Sequence, residues 1–165
     1  MATMQKITSN LWFDKEAEDA AKFYTSIFKN SSIGRIARYG KEGFEIHGGK
    51  DGTVMTIEFS LEGQNFVALN GGPIFKFNEA VSFIVYCENQ EEIDYYWDKL
   101  KEGGDEKSQV CGWVKDKYGL SWQIVPTILP KLMADEEKEK AERVMHVMLK
   151  MKKLIIADLE AAYNG

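Results

Sequence analysis

Cysteine and histidine are scarce in this chain, with two of each among 165 residues. That scarcity excludes a disulfide framework and the common zinc sites, which need several Cys or His ligands at short spacings. Cys87 and Cys111 both fall in segments read as strands, so the expectation is two half-buried thiols in a reducing, cytoplasmic compartment. A catalytic thiolate has no neighbouring histidine or helix start to activate it. No apolar run is long enough to cross a bilayer, and residues 1–10, MATMQKITSN, contain no signal-peptide core. Basic excess is also missing. The net charge is −5 and no basic stripe appears, which argues against nucleic acid as a partner. The glycine-rich stretch GGKDG (48–52) lacks both the phosphate-loop and the dinucleotide pattern.

What is present is ordinary globular composition, 44% hydrophobic and 28% charged, in a length that suits one domain. The most informative stretch is CGWVKDKYGLSWQIVP (111–126), two apolar arms around the polar turn Asp116-Lys117-Tyr118-Gly119. That is a hairpin signal. Earlier in the chain, a first hairpin spans 53–70 and turns at Glu62-Gly63-Gln64-Asn65. Ahead of the first hairpin the pattern predicts a strand over 6–13, a helix over 15–28 capped by Asp14, a strand over 33–39 and a short strand over 44–47. Residues 71–79 form a link. A strand over 80–87 and a helix over 90–101 capped by Asn89 follow, with Gly103-Gly104 as its stop. Beyond Pro126 the pattern predicts a long helix over 135–153, an interruption at 154–156 and a final turn or two over 158–163. Its Met-rich stripe needs a surface to bury against, on its own domain or on a partner subunit.

The order of elements repeats. An offset of 73 residues lays Ser82 on Ser9, Ile84 on Leu11 and Tyr86 on Phe13. Internal duplication of a strand–helix–strands unit implies a cavity between two half-sheets.

The stretches LWFDKEAEDAAKFYTSIF (11–28), VMTIEFSLEGQNFVALNGGP (54–73), AVSFIVYCENQEEIDYYWDKLKEGG (80–104) and residues 111–126 carry a resemblance. They resemble the PhnB-like branch of the vicinal-oxygen-chelate superfamily, often labelled 3-demethylubiquinone-9 3-methyltransferase. The resemblance implies an α+β fold of two βαβββ modules, residues 5–70 and 80–127, around an open eight-stranded, barrel-like cavity. It makes residues 1–127 the glyoxalase-fold domain and 128–165 a helical C-terminal extension. A homodimer is implied as well. The superfamily's four metal-ligand positions fall on Ser9, Ala68, Ser82 and Gln123. Only Gln123 is a usual donor, so the expectation is no metal and no cofactor.

Alternation of strand side chains then sets a cavity wall. Its candidate ligand-binding residues are Phe13, Phe66, Asn70, Ser82, Tyr86, Trp113 and Gln123, an apolar lining with a few polar groups that suits a small organic molecule. The other reading of these residues is a core whose polar groups satisfy one another. His47 reads as a cavity-rim base or as a loop-edge residue, and His146 as part of a helix face. No catalytic residue is assigned. The alternatives to binding are an enzyme of the same superfamily, with or without a metal, and the methyltransferase of the family label, for which no glycine-rich cofactor turn is visible.

Overall fold

The apolar positions of residues 17–27, at helical spacing, and the period-two hairpin arms dictate one helix packed on one sheet, and the chain builds this arrangement twice. The computed structural model describes residues 5–165. It divides into two compact units, Met1–Lys76 and Phe77–Gly165.

In the first unit β1 (Ser9–Phe13) leads into α1 (Ala17–Ile27), followed by β2 (Ser31–Arg38), a one-turn helix α2 (Phe44–His47), β3 (Val54–Leu61) and β4 (Gln64–Asn70). The sheet order is β1-β4-β3-β2, with β1 parallel to β4 and the rest antiparallel. Ala17, Ala20, Ala21, Tyr24 and Ile27 are all buried, as the helical spacing requires. Tyr24 stacks on Phe59 at 6.1 Å, and Phe59 on Phe66 at 5.2 Å. The first turn of α1 is not capped by Asp14. Its Ala17 N–H donates instead to Asn70 Oδ1 at 2.8 Å, from the far end of β4.

The expected strand over 44–47 is a helical turn. Gly43 and Gly48 bracket it in the left-handed region, at φ 78° and 66°, and the reversal at each end leaves no length for pairing.

The second unit runs β5 (Ser82–Cys87), α3 (Gln90–Lys101), β6 (Trp113–Lys115) and β7 (Ser121–Pro126), in sheet order β5-β7-β6. Asn89 caps α3 as expected, accepting from Glu92 N–H at 3.0 Å, while Glu92 Oε2 accepts from Glu88 N–H at 2.7 Å. The module carries three strands. Between α3 and β6 lie a 3₁₀ turn (Glu106–Ser108) and a single bridge from Val110 to Trp113. Cys111 therefore sits in a turn, not a strand, at φ 51°.

The long helix expected over 135–153 is shorter. After α4 (Leu129–Met133), α5 covers Lys138–Met148, and α6 (Ile156–Asn164) follows a stretch of turns and bends. That stretch leaves the helix because its carbonyls have other partners. Met151 and Lys152 accept from the N–H groups of Cys111 and Gly112, each at 2.8 Å. Gln90 on α3 bonds Leu154 O and Ile156 N–H, and Lys153 pairs with Asp94. Val125, Leu129, Leu132, Val144, Leu154 and Leu159 form one buried cluster, so residues after Pro126 pack within the second unit. Each fully buried leucine there contributes about 1.5–3 kcal/mol.

The turn of the second hairpin is tied by Asp116, only 2% exposed. Its Oδ1 accepts from Tyr118 N–H at 2.9 Å and Leu120 N–H at 3.1 Å, and Oδ2 accepts from the Trp122 indole N–H at 2.8 Å. Asp116→Ala leaves three donors without this acceptor and is expected to destabilise the protein by about 3 kcal/mol or more. Asp116→Asn keeps one oxygen for the backbone but presents N–H to the indole, so a smaller loss is expected. Urea unfolding followed by tryptophan fluorescence measures both; an Asp116→Ala midpoint equal to wild type would contradict this account.

Candidate functional site

A strand turns alternate side chains to opposite faces, and a single helix covers only one of them. In the second unit α3 lies over the face that carries Cys87, Val114, Trp122 and Ile124, all buried. The opposite face is only partly covered: Val125 packs into the C-terminal cluster and Ser121 is buried. Pairing register places Gln123 at its centre, directly between Ile84 on β5 and Trp113 on β6. The next row holds Ser82, Ser121 and Lys115, and on the other side Tyr86 stands opposite Val125. Ile84 is 46% exposed and Tyr86 55%. Gln123 Nε2 donates to Ser82 Oγ at 2.9 Å across the diagonal. The Lys115 ammonium is ion-paired with Glu79, which holds the Glu79 carboxyl below the usual carboxylate range. Ser82, Tyr86, Trp113 and Gln123 are thus brought onto one face. Lys115 was not singled out from the sequence; only the register with Ser121 reveals it.

The first unit treats its candidates differently. Phe13 and Phe66 are buried, and the register Ser9–Phe66, Leu11–Ala68, Phe13–Asn70 continues into Phe59 and Ile57 on β3. That row is the one beneath α1. Phe13, Phe66, Ser9 and Ala68 therefore lie on the helix side of the sheet and not on a cavity wall. Asn70 has both amide atoms committed: Oδ1 to Ala17 N–H, and Nδ2 to Val54 O at 3.0 Å. The helix-free face here carries Asn10, Val67 and Glu58 in one row and Trp12, Leu69 and Thr56 in the next. Trp12 donates its indole N–H to Gly72 O at 2.8 Å, and Phe75 meets its ring edge-on at 5.0 Å.

The reason is parity. Phe13 O accepts from Gly71 N–H at 2.9 Å, and Cys87 O accepts from Thr127 N–H at the same distance. Phe13 pairs with Asn70 as Cys87 pairs with Pro126. Phe13 thus corresponds to Cys87, an even offset of 74 and not 73, and an odd slip exchanges the two faces of a strand. On the corrected correspondence Gln123 matches Val67, and Ser82 matches Thr8. The positions that the resemblance implies as metal ligands then hold Thr8 and Val67 in the first unit and Ser82 and Gln123 in the second. Valine has no donor and the two hydroxyls are weak ones, so these residues do not fit a tight divalent-metal site. Among the described residues no group of three or more His, Cys, Asp or Glu side chains is placed to hold a metal.

His47 stacks on Tyr39 at 4.5 Å. Its Nδ1 accepts from Gly49 N–H at 2.9 Å, and Nε2 lies 2.9 Å from Glu42 O. Both nitrogens therefore hold the α2 loop, beside an 810 Å³ cleft that Tyr39, Arg38 and Lys50 also line. His146 is exposed on α5 and lies 2.7 Å from Lys150 Nζ.

Residues 5–125 match the family model described as 3-demethylubiquinone-9 3-methyltransferase. A solved structure described as a PhnB protein from Bacillus cereus is 41% identical, with a TM-score of 0.63; the match covers 74% of this chain and 100% of that one. A Staphylococcus aureus protein is 31% identical over 74% of this chain and 96% of its own, with a TM-score of 0.33. A Pseudomonas aeruginosa protein, 15% identical, shares the fold at a TM-score of 0.57 over 74% of this chain and 98% of its own. No curated protein matches the chain.

Burial pushes the Cys87 thiol up to about 12, helped by the carboxylates of Glu92 and Glu88. At pH 8 its thiolate fraction is on the order of one in ten thousand. Cys87 is expected to stay unmodified by Ellman's reagent at pH 8 in the native protein and to react in urea. Mass mapping of the labelled thiols measures this, and rapid native labelling of Cys87 would contradict its burial.

Proposed function

The chain belongs to the PhnB-like family, a branch of the vicinal-oxygen-chelate superfamily, and on that premise we propose that it binds a small organic molecule, without a metal, on the Gln123 face of its second sheet. The observation that carries the reading is the exposed apolar row of Ile84 and Tyr86 beside Trp113, with the Ser82–Gln123 pair at its centre. Convergent polar groups within an apolar surface are what orient a small ligand. Stability does not require such large apolar groups to face water on a sheet surface. The donor set at the four ligand positions argues against the superfamily's metal.

The methyl transfer named in the family description requires S-adenosylmethionine. The residues do not fit the usual glycine-rich seat for such a cofactor. The turn from β1 to α1 is Asp14-Lys15-Glu16 and that from β5 to α3 is Glu88-Asn89, with no glycine in either.

Titration with the neutral fluorophore N-phenyl-1-naphthylamine tests the reading. Saturable binding is expected, weakened at least about tenfold by Ile84→Asp, since a buried carboxylate opposes an apolar ligand. The urea midpoint of Ile84→Asp is expected to stay close to wild type because Ile84 is already half exposed. Equal binding by the variant would move the site elsewhere. Thermal shift with S-adenosylmethionine, and separately with Ni, Zn, Mn and Fe(II), is expected to show no stabilisation. A clear saturable rise with any of them would overturn the metal-free or the non-methyltransferase part of the reading.

A further inference from the structure

Gln123 and Ser82 together offer more than one polar atom to a ligand. Gln123 Nε2 donates one N–H to Ser82 Oγ, which leaves the Gln123 carbonyl oxygen as an acceptor and the second amide N–H and the Ser82 hydroxyl proton as donors. The converse amide orientation gives the same result. A hydroxyl donating to the amide oxygen leaves the amide N–H groups as donors and the hydroxyl oxygen as an acceptor. In either arrangement the pair presents an acceptor beside donors, two donors to one acceptor oxygen. Gln123 also stands in register between Ile84 and Trp113, so a ligand that reaches it lies along an apolar and an aromatic side chain.

Charge completes the description. The cation on this face, Lys115, is neutralised by Glu79, and the pair itself carries no formal charge. An anionic ligand would bring two acceptors to a site that presents an acceptor of its own, and would find no unpaired cation there. A ligand with an acceptor but no donor would leave one polar atom of the pair without a partner once water is displaced.

From these groups we infer that the Ser82–Gln123 pair recognises a neutral, planar group with a hydrogen-bond donor next to an acceptor, of the lactam or carboxamide class. The inference rests on the reading that this face binds a small molecule. In place of a metal's ligands, the face carries a neutral two-point reader.

Three probes of nearly equal shape separate the possibilities: 2-quinolinone, its N-methyl derivative, and quinoline-2-carboxylate. The first has adjacent N–H and C=O, the second lacks the donor and the third is an anion. Calorimetric titration of the full chain is expected to rank 2-quinolinone at least about tenfold tighter than the N-methyl compound, with the carboxylate no better. Gln123→Leu is expected to remove that preference while the thermal midpoint stays near wild type, and Gln123→Asn to retain part of it. Equal affinity for all three probes, each still weakened by Ile84→Asp, overturns the inference and leaves the binding reading standing. Preference for the carboxylate overturns it in favour of an anion site. No binding of any probe at millimolar concentration overturns both. A dimer that Tyr86→Lys dissociates in sedimentation, with probe affinity unchanged, assigns the face to a second copy of the chain and also overturns it.

Discussion

In each unit one helix follows the first strand and packs on one face of the sheet, and strand side chains alternate with a period of two. Together these constraints decide which residues are core and which are left over. In the first unit α1 claims Leu11, Phe13, Ile57, Phe59, Phe66 and Ala68, and their burial follows from the register alone. In the second, α3 claims Cys87, Val114, Trp122 and Ile124. The residues between them in sequence, Ile84, Tyr86, Trp113 and Gln123, face the other way whatever their hydrophobicity. On that face the C-terminal cluster takes up Val125 alone among the β7 residues, and Ile84 and Tyr86 stay exposed.

Legibility in the sequence followed the range of the interaction. Asn89 as the cap of α3 was readable, because cap and recipient are three residues apart. So was the turn at 116–119, whose carboxylate, donors and glycine lie within a few positions. The start of α1 was not, since Asn70 reaches it across 53 residues and no local pattern marks that bond. Parity was the costliest misreading. An offset of 73 gives a plausible alignment of Ser9 with Ser82, yet the carbonyls of Phe13 and Cys87 make the corresponding backbone bonds. Hydrophobic pattern could not decide between them, because both faces of β1 and β5 carry apolar residues. In the second module the register puts Ser82, Tyr86, Trp113 and Gln123 on one face, as alternation counted from Gln123 requires. In the first the face was reversed by the one-residue slip.

The C-terminal region shows the same lesson on a larger scale. Residues 135–153 have helical spacing and good helix formers, yet α5 stops at Met148. Helix propensity is worth only tenths of a kcal/mol per residue. Against it stand two backbone hydrogen bonds from Cys111 and Gly112, the Gln90 amide bonded at both ends, and complete burial of Leu154. Cys111 accepts a left-handed conformation in order to point its N–H at Met151 O. The 149–155 stretch therefore braces the entry to β6, the strand that carries Trp113.

That support matters for how the face can discriminate. A metal site gains affinity from a concentrated charge, whereas a neutral amide–hydroxyl pair contributes about 0.5–1.5 kcal/mol for each hydrogen bond formed. Affinity on such a face must come mainly from apolar area, at roughly 25 cal/mol per Å². Ile84, Tyr86 and Trp113 provide that area without regard to the ligand's polar group. The Ser82–Gln123 pair acts on a different quantity. Once water is displaced, a ligand of the wrong polarity leaves a donor or an acceptor unpaired, at a cost of about 1–3 kcal/mol. Selectivity therefore arises as a penalty on mismatched ligands more than as a reward for matched ones. The penalty is full only if the pair cannot swing aside to find other partners. Gln123 is held in the central strand, between Ile84 and Trp113 and bonded to Ser82, so its freedom to do so is small.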